Sequence, residues 1–222
     1  MTEDGLWARR SDPHQMLRFV TGDRKSKRKL RLYGCACCRQ VWYLLRDARS
    51  RNAIEVAEAY ADGHAKLRNA REGARAAWTE LVASAESTPA ERVAACAAME
   101  VVGPFPIGAA NRGSSHIRAA ISAQRGSDPD PRRTVEVAHA ELLREIFGNP
   151  FWPVAFLPEW RTSTGVALAQ GMYESRDFSA MPILADALQD AGCGNADILD
   201  HCRRPGPHVR GCWVVDLVLG KK

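Results

Sequence analysis

The chain lacks a long apolar run. Its most hydrophobic stretch, Cys212-Trp213-Val214-Val215 and then Leu217-Val218-Leu219, is interrupted by Asp216 and falls far short of the roughly 20 residues that span a bilayer. No membrane segment is expected. The opening Met1-Thr2-Glu3-Asp4-Gly5 is acidic and no apolar h-region follows it, so the sequence offers no secretory leader. The cysteines number seven, an odd count, and without a leader they read as reduced thiols of a cytoplasmic protein. Strand-type alternation of useful length is missing too. So are His-Glu-x-x-His, the phosphate-cradling P-loop, the dinucleotide Gly-x-Gly-x-x-Gly and the Gly-x-Ser-x-Gly nucleophile elbow. No residue stands out as a nucleophile or a general base, and the expectation is a protein that is not an enzyme.

What remains is an ordinary globular composition with an uneven charge. Apolar residues make up 45% of the 222, enough to bury a core without crosslinks. Residues 1–50 carry 12 Lys and Arg against 5 Asp and Glu, while the rest carries 19 against 21. All net positive charge therefore lies at the N-terminal end. Localised charge steers association through long-range potential, whereas mixed charge mainly confers solubility.

Helical periodicity dominates. Leu30, Tyr33, Cys37, Val41, Trp42, Leu44 and Leu45 recur at steps of three and four, which predicts a helix over 28–46 and puts the cysteines on it. Ser50 is the expected N-cap of the next helix, which Gly63 would stop. Leu67, Ala70, Ala74, Trp78 and Leu81 predict a long helix between His64 and Ser87. Thr88-Pro89-Ala90-Glu91 has the hydroxyl cap, first-turn proline and returning glutamate of a capping box. That helix should end near Gly103-Pro104, and His116–Gln124 should resume a short one. Gly126-Ser127-Asp128-Pro129-Asp130-Pro131 is the expected boundary, between an N-terminal basic and Ala-rich region, 1–125, and a C-terminal short-helix region, 132–222. Past it, Val135, Ala138, Leu142, Leu143 and Ile146 predict a helix ended by Gly148-Asn149-Pro150. Four shorter helices are expected over 162–175, 180–191, 195–203 and 209–219, although Val214, Val215 and Val218 in the last favour strand. Phe151–Trp160 is too rich in proline for either element and reads as an extended aromatic segment packed over the helices. The expected fold is all-α, a multi-helix bundle of about eight to nine helices with that segment connecting them, packed as one body.

Three constellations carry chemistry. Cys35 and Cys38, three apart on a helix, share a face and could present two sulfurs to a zinc ion, with His208 and Cys212, or the neighbouring His201 and Cys202, completing the set. Against zinc stands the ordinary use of cysteine as a small buried hydrophobe, which makes core packing the default and no resident cofactor the expectation. The run Arg24, Lys25, Lys27, Arg28, Lys29 and Arg31 could hold an acidic protein partner or track phosphates, joined by Arg203, Arg204 and Arg210 if the chain ends meet. Glu136 and His139 form a Glu-x-x-His step of the kind found in di-iron bundles. No second copy exists, so His139 reads as a structural histidine.

The blocks Lys29-Leu-Arg-Leu-Tyr-Gly-Cys-Ala-Cys-Cys-Arg-Gln-Val-Trp42, Leu143-Arg-Glu-Ile-Phe-Gly-Asn-Pro-Phe151, Pro182-Ile-Leu-Ala-Asp-Ala-Leu-Gln-Asp-Ala-Gly-Cys193 and Gly206-Pro-His-Val-Arg-Gly-Cys-Trp-Val-Val-Asp-Leu-Val-Leu-Gly220 resemble those of a paralogue-rich bacterial protein family. The resemblance spans nearly the whole chain and implies no particular reaction or ligand. In similar proteins leucine often stands at the position of Cys202, which argues against this residue as an obligatory ligand. Expansion into paralogues fits a non-enzymatic interaction or regulatory module. The alternatives are nucleic-acid binding through the basic N-terminal run and a zinc-stabilised protein or metalloenzyme using Cys35 and Cys38 with His208 and Cys212.

Overall fold

The computed structural model describes residues 3–21, 27–122 and 130–221, and every regular element among them is helical. In chain order the helices are α1 (Glu3–Arg9), α2 (Pro13–Val20), α3 (Lys27–Arg39), α4 (Ala48–Ala61), α5 (Arg68–Ala83), α6 (Pro89–Val101), the single turn α7 (Pro106–Gly108), α8 (Ser114–Ser122), α9 (Pro131–Phe147), α10 (Ser163–Ser175), α11 (Met181–Asp190), α12 (Ala196–Arg203) and α13 (Trp213–Leu219). The all-α expectation holds, with more and shorter helices than eight or nine. Two compact units result, one of Arg9–Leu143 and one of Met1–Ala8 with Arg144–Lys222. Their division falls inside α9. Of the expected boundary, residues 126–129 lie outside the described residues, and Pro131 already opens α9.

In the larger unit, small side chains let the helices approach closely. A Cβ on Gly34 of α3 would lie 2.8 Å from the carbonyl oxygen of Ala109, so glycine is needed where α3 meets the π-helical turn Ala109–Gly113. Ala94, Ala95, Ala97 and Ala98 of α6 are buried, as are Ala53 and Ala57 of α4. The capping box at Thr88 forms as expected: Thr88 N–H donates to Glu91 Oε2 at 2.8 Å and Glu91 N–H to Thr88 Oγ1 at 3.2 Å. The cap of α4 is Asp47 rather than Ser50. Its carboxylate accepts from Arg49 N–H at 2.8 Å, starting the helix three residues early and leaving Ser50 buried within it. The helix expected over 28–46 ends at Arg39, where the chain turns through a 3₁₀ segment at Trp42–Leu44.

The smaller unit packs α10–α13 around Leu184, Leu188, Ile198, Val214, Val215 and Val218. Val214, Val215 and Val218 are fully buried in a helix despite their strand preference. Burying each gains about 1.5–3 kcal/mol, whereas the helix-propensity cost of valine is below roughly 0.7 kcal/mol, so packing decides. Gly220 at φ 67 closes the helix, and Arg161 donates to the carbonyls of Leu217 and Val218 at 2.9 Å each. The segment 151–160 opens in a turn at Phe151 and Trp152, runs without regular structure over 153–157 and ends in a 3₁₀ turn at Pro158–Trp160. Val154, Phe156 and Trp160 pack on this core, but Trp152 and Leu157 face solvent.

Candidate metal centre

The smaller unit gathers four metal-ligating side chains from four places in the chain. Glu145 lies in the last turn of α9, His201 in the last turn of α12, His208 in the following loop, and Cys212 immediately before α13. Gly211, at φ 95, makes the turn that delivers Cys212. One donor atom from each residue lies within 4.8 Å of the other three. His201 Nε2 is 3.3 Å from Cys212 Sγ and 3.3 Å from Glu145 Oε2, and His208 Nδ1 is 3.1 Å from Glu145 Oε1. Glu145, His201 and Cys212 are buried, and the His208 side chain is 8% exposed.

The groups outside the cluster orient it. His208 Nε2 faces the Arg204 carbonyl at 3.3 Å, while the Trp213 indole N–H donates to His201 Nδ1 at 2.9 Å. Burial alone would raise the Glu145 carboxyl, but hydrogen bonds and charge from His201 and His208 outweigh it and hold the group at about 2. Burial lowers His201 against the pull of Glu145, and it pushes the Cys212 thiol well up, with the Glu145 charge adding to the rise. Glu145 is therefore a buried anion whose nearest guanidinium, Arg204, stands 3.6 Å away. Its Oε2 is fully buried yet makes no hydrogen bond of normal geometry. Such a donor set, mixed in sulfur, nitrogen and oxygen, suits a borderline cation and has the ligand types of a zinc site.

No protein-family model, curated protein or solved structure matches the chain. The chemistry of the site therefore rests on its own geometry.

Of the four expected ligands, the structure brings together His208 and Cys212 and completes the set with His201 and Glu145. Cys35 and Cys38 belong to the larger unit and are filler: Cys35 Sγ faces the Ile54 carbonyl at 3.9 Å, and burial pushes both thiols well above the ordinary range. The cluster of metal-ligating type found among the described residues does not include Cys35 or Cys38. Cys202 is buried in the hydrophobic core beside the cluster without being part of it. His139 is a core histidine, bonded to Gln40 at 3.1 Å and edge-on to Tyr33, and burial drops it to about 3.

The basic run is only partly a surface. Arg24 and Lys25 lie outside the described residues, Lys27 is exposed, and Arg28 and Lys29 are half-buried. Arg28 pairs with Asp62 at 2.9 Å. Arg31 is corrected to an interior residue: its guanidinium donates to the carbonyls of Val101 and Gly103 and lies over the Tyr60 ring. The C-terminal cations are engaged as well. Arg203 pairs with Asp186, and Arg210 stacks over Tyr173.

The residue that sequence reasoning passed over is Glu145. One signal was present, since Ala138, Leu142 and Glu145 fall on one helical stripe, where a carboxylate among apolar positions demands a partner.

Proposed function

We propose that the chain is a non-enzymatic helical interaction module whose contact surface lies on the larger unit. The observation that carries this reading is the segment after α6 that runs into the single turn α7, where Phe105 and Ile107 stand 67% and 44% exposed. They are displayed by design of the local contacts, because Arg31 of α3 binds the carbonyls of Val101 and Gly103 and so fixes the segment's origin against the basic helix. Apolar anchors on the same unit as the exposed Lys27 and the half-buried Arg28 and Lys29 of α3 suit an acidic partner segment bearing large apolar side chains. The cations raise the association rate and the anchors hold the complex.

The burial of every cysteine but Cys96 supports the same reading. A thiol held far from its thiolate form is a poor nucleophile. The test compares proteins retained from a lysate of the source organism by the wild-type chain, by a Phe105→Ser/Ile107→Ser double variant and by Lys27→Glu. Loss of the same protein from both variants supports the reading; equal retention by all three overturns it. Binding to a generic DNA duplex that falls steeply with salt would instead favour a polyanion surface.

A further inference from the structure

We propose that Glu145, His201, His208 and Cys212 form a structural zinc site that locks the smaller unit. The distances suit it. A tetrahedral ion with bonds of about 2.0–2.1 Å to nitrogen or oxygen and about 2.3 Å to sulfur spaces neighbouring donors about 3.3–3.6 Å apart; His201 Nε2 is 3.3 Å from both Cys212 Sγ and Glu145 Oε2, His208 Nδ1 is 3.1 Å from the other carboxylate oxygen, and one donor from each residue lies within 4.8 Å of the rest. Charge suits it as well. One carboxylate, one thiolate and two neutral imidazoles neutralise a divalent ion, so the loaded site buries no net charge. Oxygen-seeking magnesium or calcium would not choose this set.

The second observation is Glu145 Oε2, which is fully buried and makes no hydrogen bond of normal geometry, with only His201 Nε2 at 3.3 Å and the Arg204 guanidinium at 3.6 Å facing it. Buried carboxylate oxygens normally accept hydrogen bonds, and a cation shared with His201 and Cys212 gives this one a partner. His208 already has the arrangement typical of a metal-bound imidazole, with one nitrogen toward the cluster and the other positioned to donate to a backbone carbonyl. Four protein ligands leave no open coordination position, which makes the site structural rather than catalytic.

Loading has a definite proton balance. The Cys212 thiol proton leaves to solvent as the thiolate bonds the ion. In the ion-free arrangement Trp213 N–H occupies the lone pair of His201 Nδ1, so the imidazole proton sits on Nε2. Coordination through Nε2 moves that proton to Nδ1, and the indole must give up its hydrogen bond. Trp213 thus reports occupancy, and the ring that moves also lies against Gly148, where a Cβ would come within 3.2 Å of it.

The test uses the full chain purified under reducing conditions, with zinc measured by elemental mass spectrometry and competition against a chromophoric chelator. One zinc per chain is expected, with affinity reduced about 100-fold or more in Cys212→Ser and His208→Gln and unchanged in Cys35→Ala/Cys38→Ala. Cobalt loading of the unmodified chain gives a readout that needs no variant. A thiolate-to-cobalt charge-transfer band should appear together with a change in tryptophan emission that is absent from Trp213→Phe. Failure of the reduced wild-type chain to take up zinc or cobalt would overturn the proposal and leave a hydrogen-bonded hub around Glu145. Equal uptake by Cys212→Ser would also overturn it.

Discussion

Each unit of this protein buries a glutamate almost completely, and the two are neutralised by different means. In the unit of Arg9–Leu143, Glu58 is 2% exposed and receives Arg39 in a two-pronged pair at 2.5 and 2.9 Å, with the guanidinium stacked 4.7 Å over Trp42. In the unit of Arg144–Lys222, Glu145 is fully buried among two imidazoles and a thiol, with Arg204 at 3.6 Å. The first carboxylate carries its cation as part of the sequence. The second has its nearest guanidinium 3.6 Å away and is surrounded by side chains of metal-ligating type. The cysteines divide the same way. Cys35, Cys37 and Cys38 fill space between α3 and its neighbours, whereas Cys212 sits at the convergence of polar donors. The same residue type therefore has two meanings, set by whether its neighbours are apolar or able to share an ion.

The strongest way to break this comparison is Glu145→Ala. Removing one partner from a buried charged cluster costs about 3–5 kcal/mol, so hydrogen exchange across α10–α13 should accelerate while protection across α3–α6 is retained. Equal acceleration in both would deny that Glu145 serves its own unit.

Acid titration sharpens the contrast through the larger unit's histidine. His139 is held at about 3 in the fold against 6.5 unfolded. Its contribution is thus complete above pH 6.5 and is lost as pH falls from there toward 3, by on the order of a few kcal/mol. His139→Leu should flatten the dependence of that unit's stability across this window, measured by denaturant melts at each pH; an unaltered slope would contradict the assignment. Glu145, held at about 2 against 4.5, loses its contribution at lower pH, as the medium falls through 4.5 toward 2.

Gly34→Val forces a side chain against the Ala109 carbonyl and should cost about 1–3 kcal/mol, confined to the larger unit. A melt like that of the wild type would mean α3 and the π-helical turn can separate freely. The smallest effect is expected from Thr88→Ala, which removes half of the capping box for about 1 kcal/mol. Restoration by Thr88→Ser would identify the hydroxyl as the cause.

Local signals proved legible where one stretch of chain determines its own structure. The capping box at Thr88 and Glu91, the stop at Gly148 and the helical spacing behind the all-α fold all depend on near neighbours. Ser50 and Asp47 show the limit, since both residue types cap helices and only the surrounding contacts choose between them. The α13 valines were ambiguous because burial, not propensity, settles their conformation. For the candidate site, His208 and Cys212 were readable from their spacing, four residues apart. Glu145 was not, because it comes from a helix more than fifty residues earlier and packing alone brings it there. Arg31 looked like its basic neighbours in sequence, yet it lies one turn further along the same helical face as exposed Lys27, where the carbonyls of Val101 and Gly103 at the end of α6 receive it.

The proposed zinc ion is shared by Glu145, His201, His208 and Cys212. Hydrogen exchange of the zinc-reconstituted chain, recorded before and after a strong chelator, tests this most directly. Protection should fall across α10–α13 and the last turn of α9 and stay constant across α3–α6. Protection in the smaller unit that is indifferent to the chelator would contradict it.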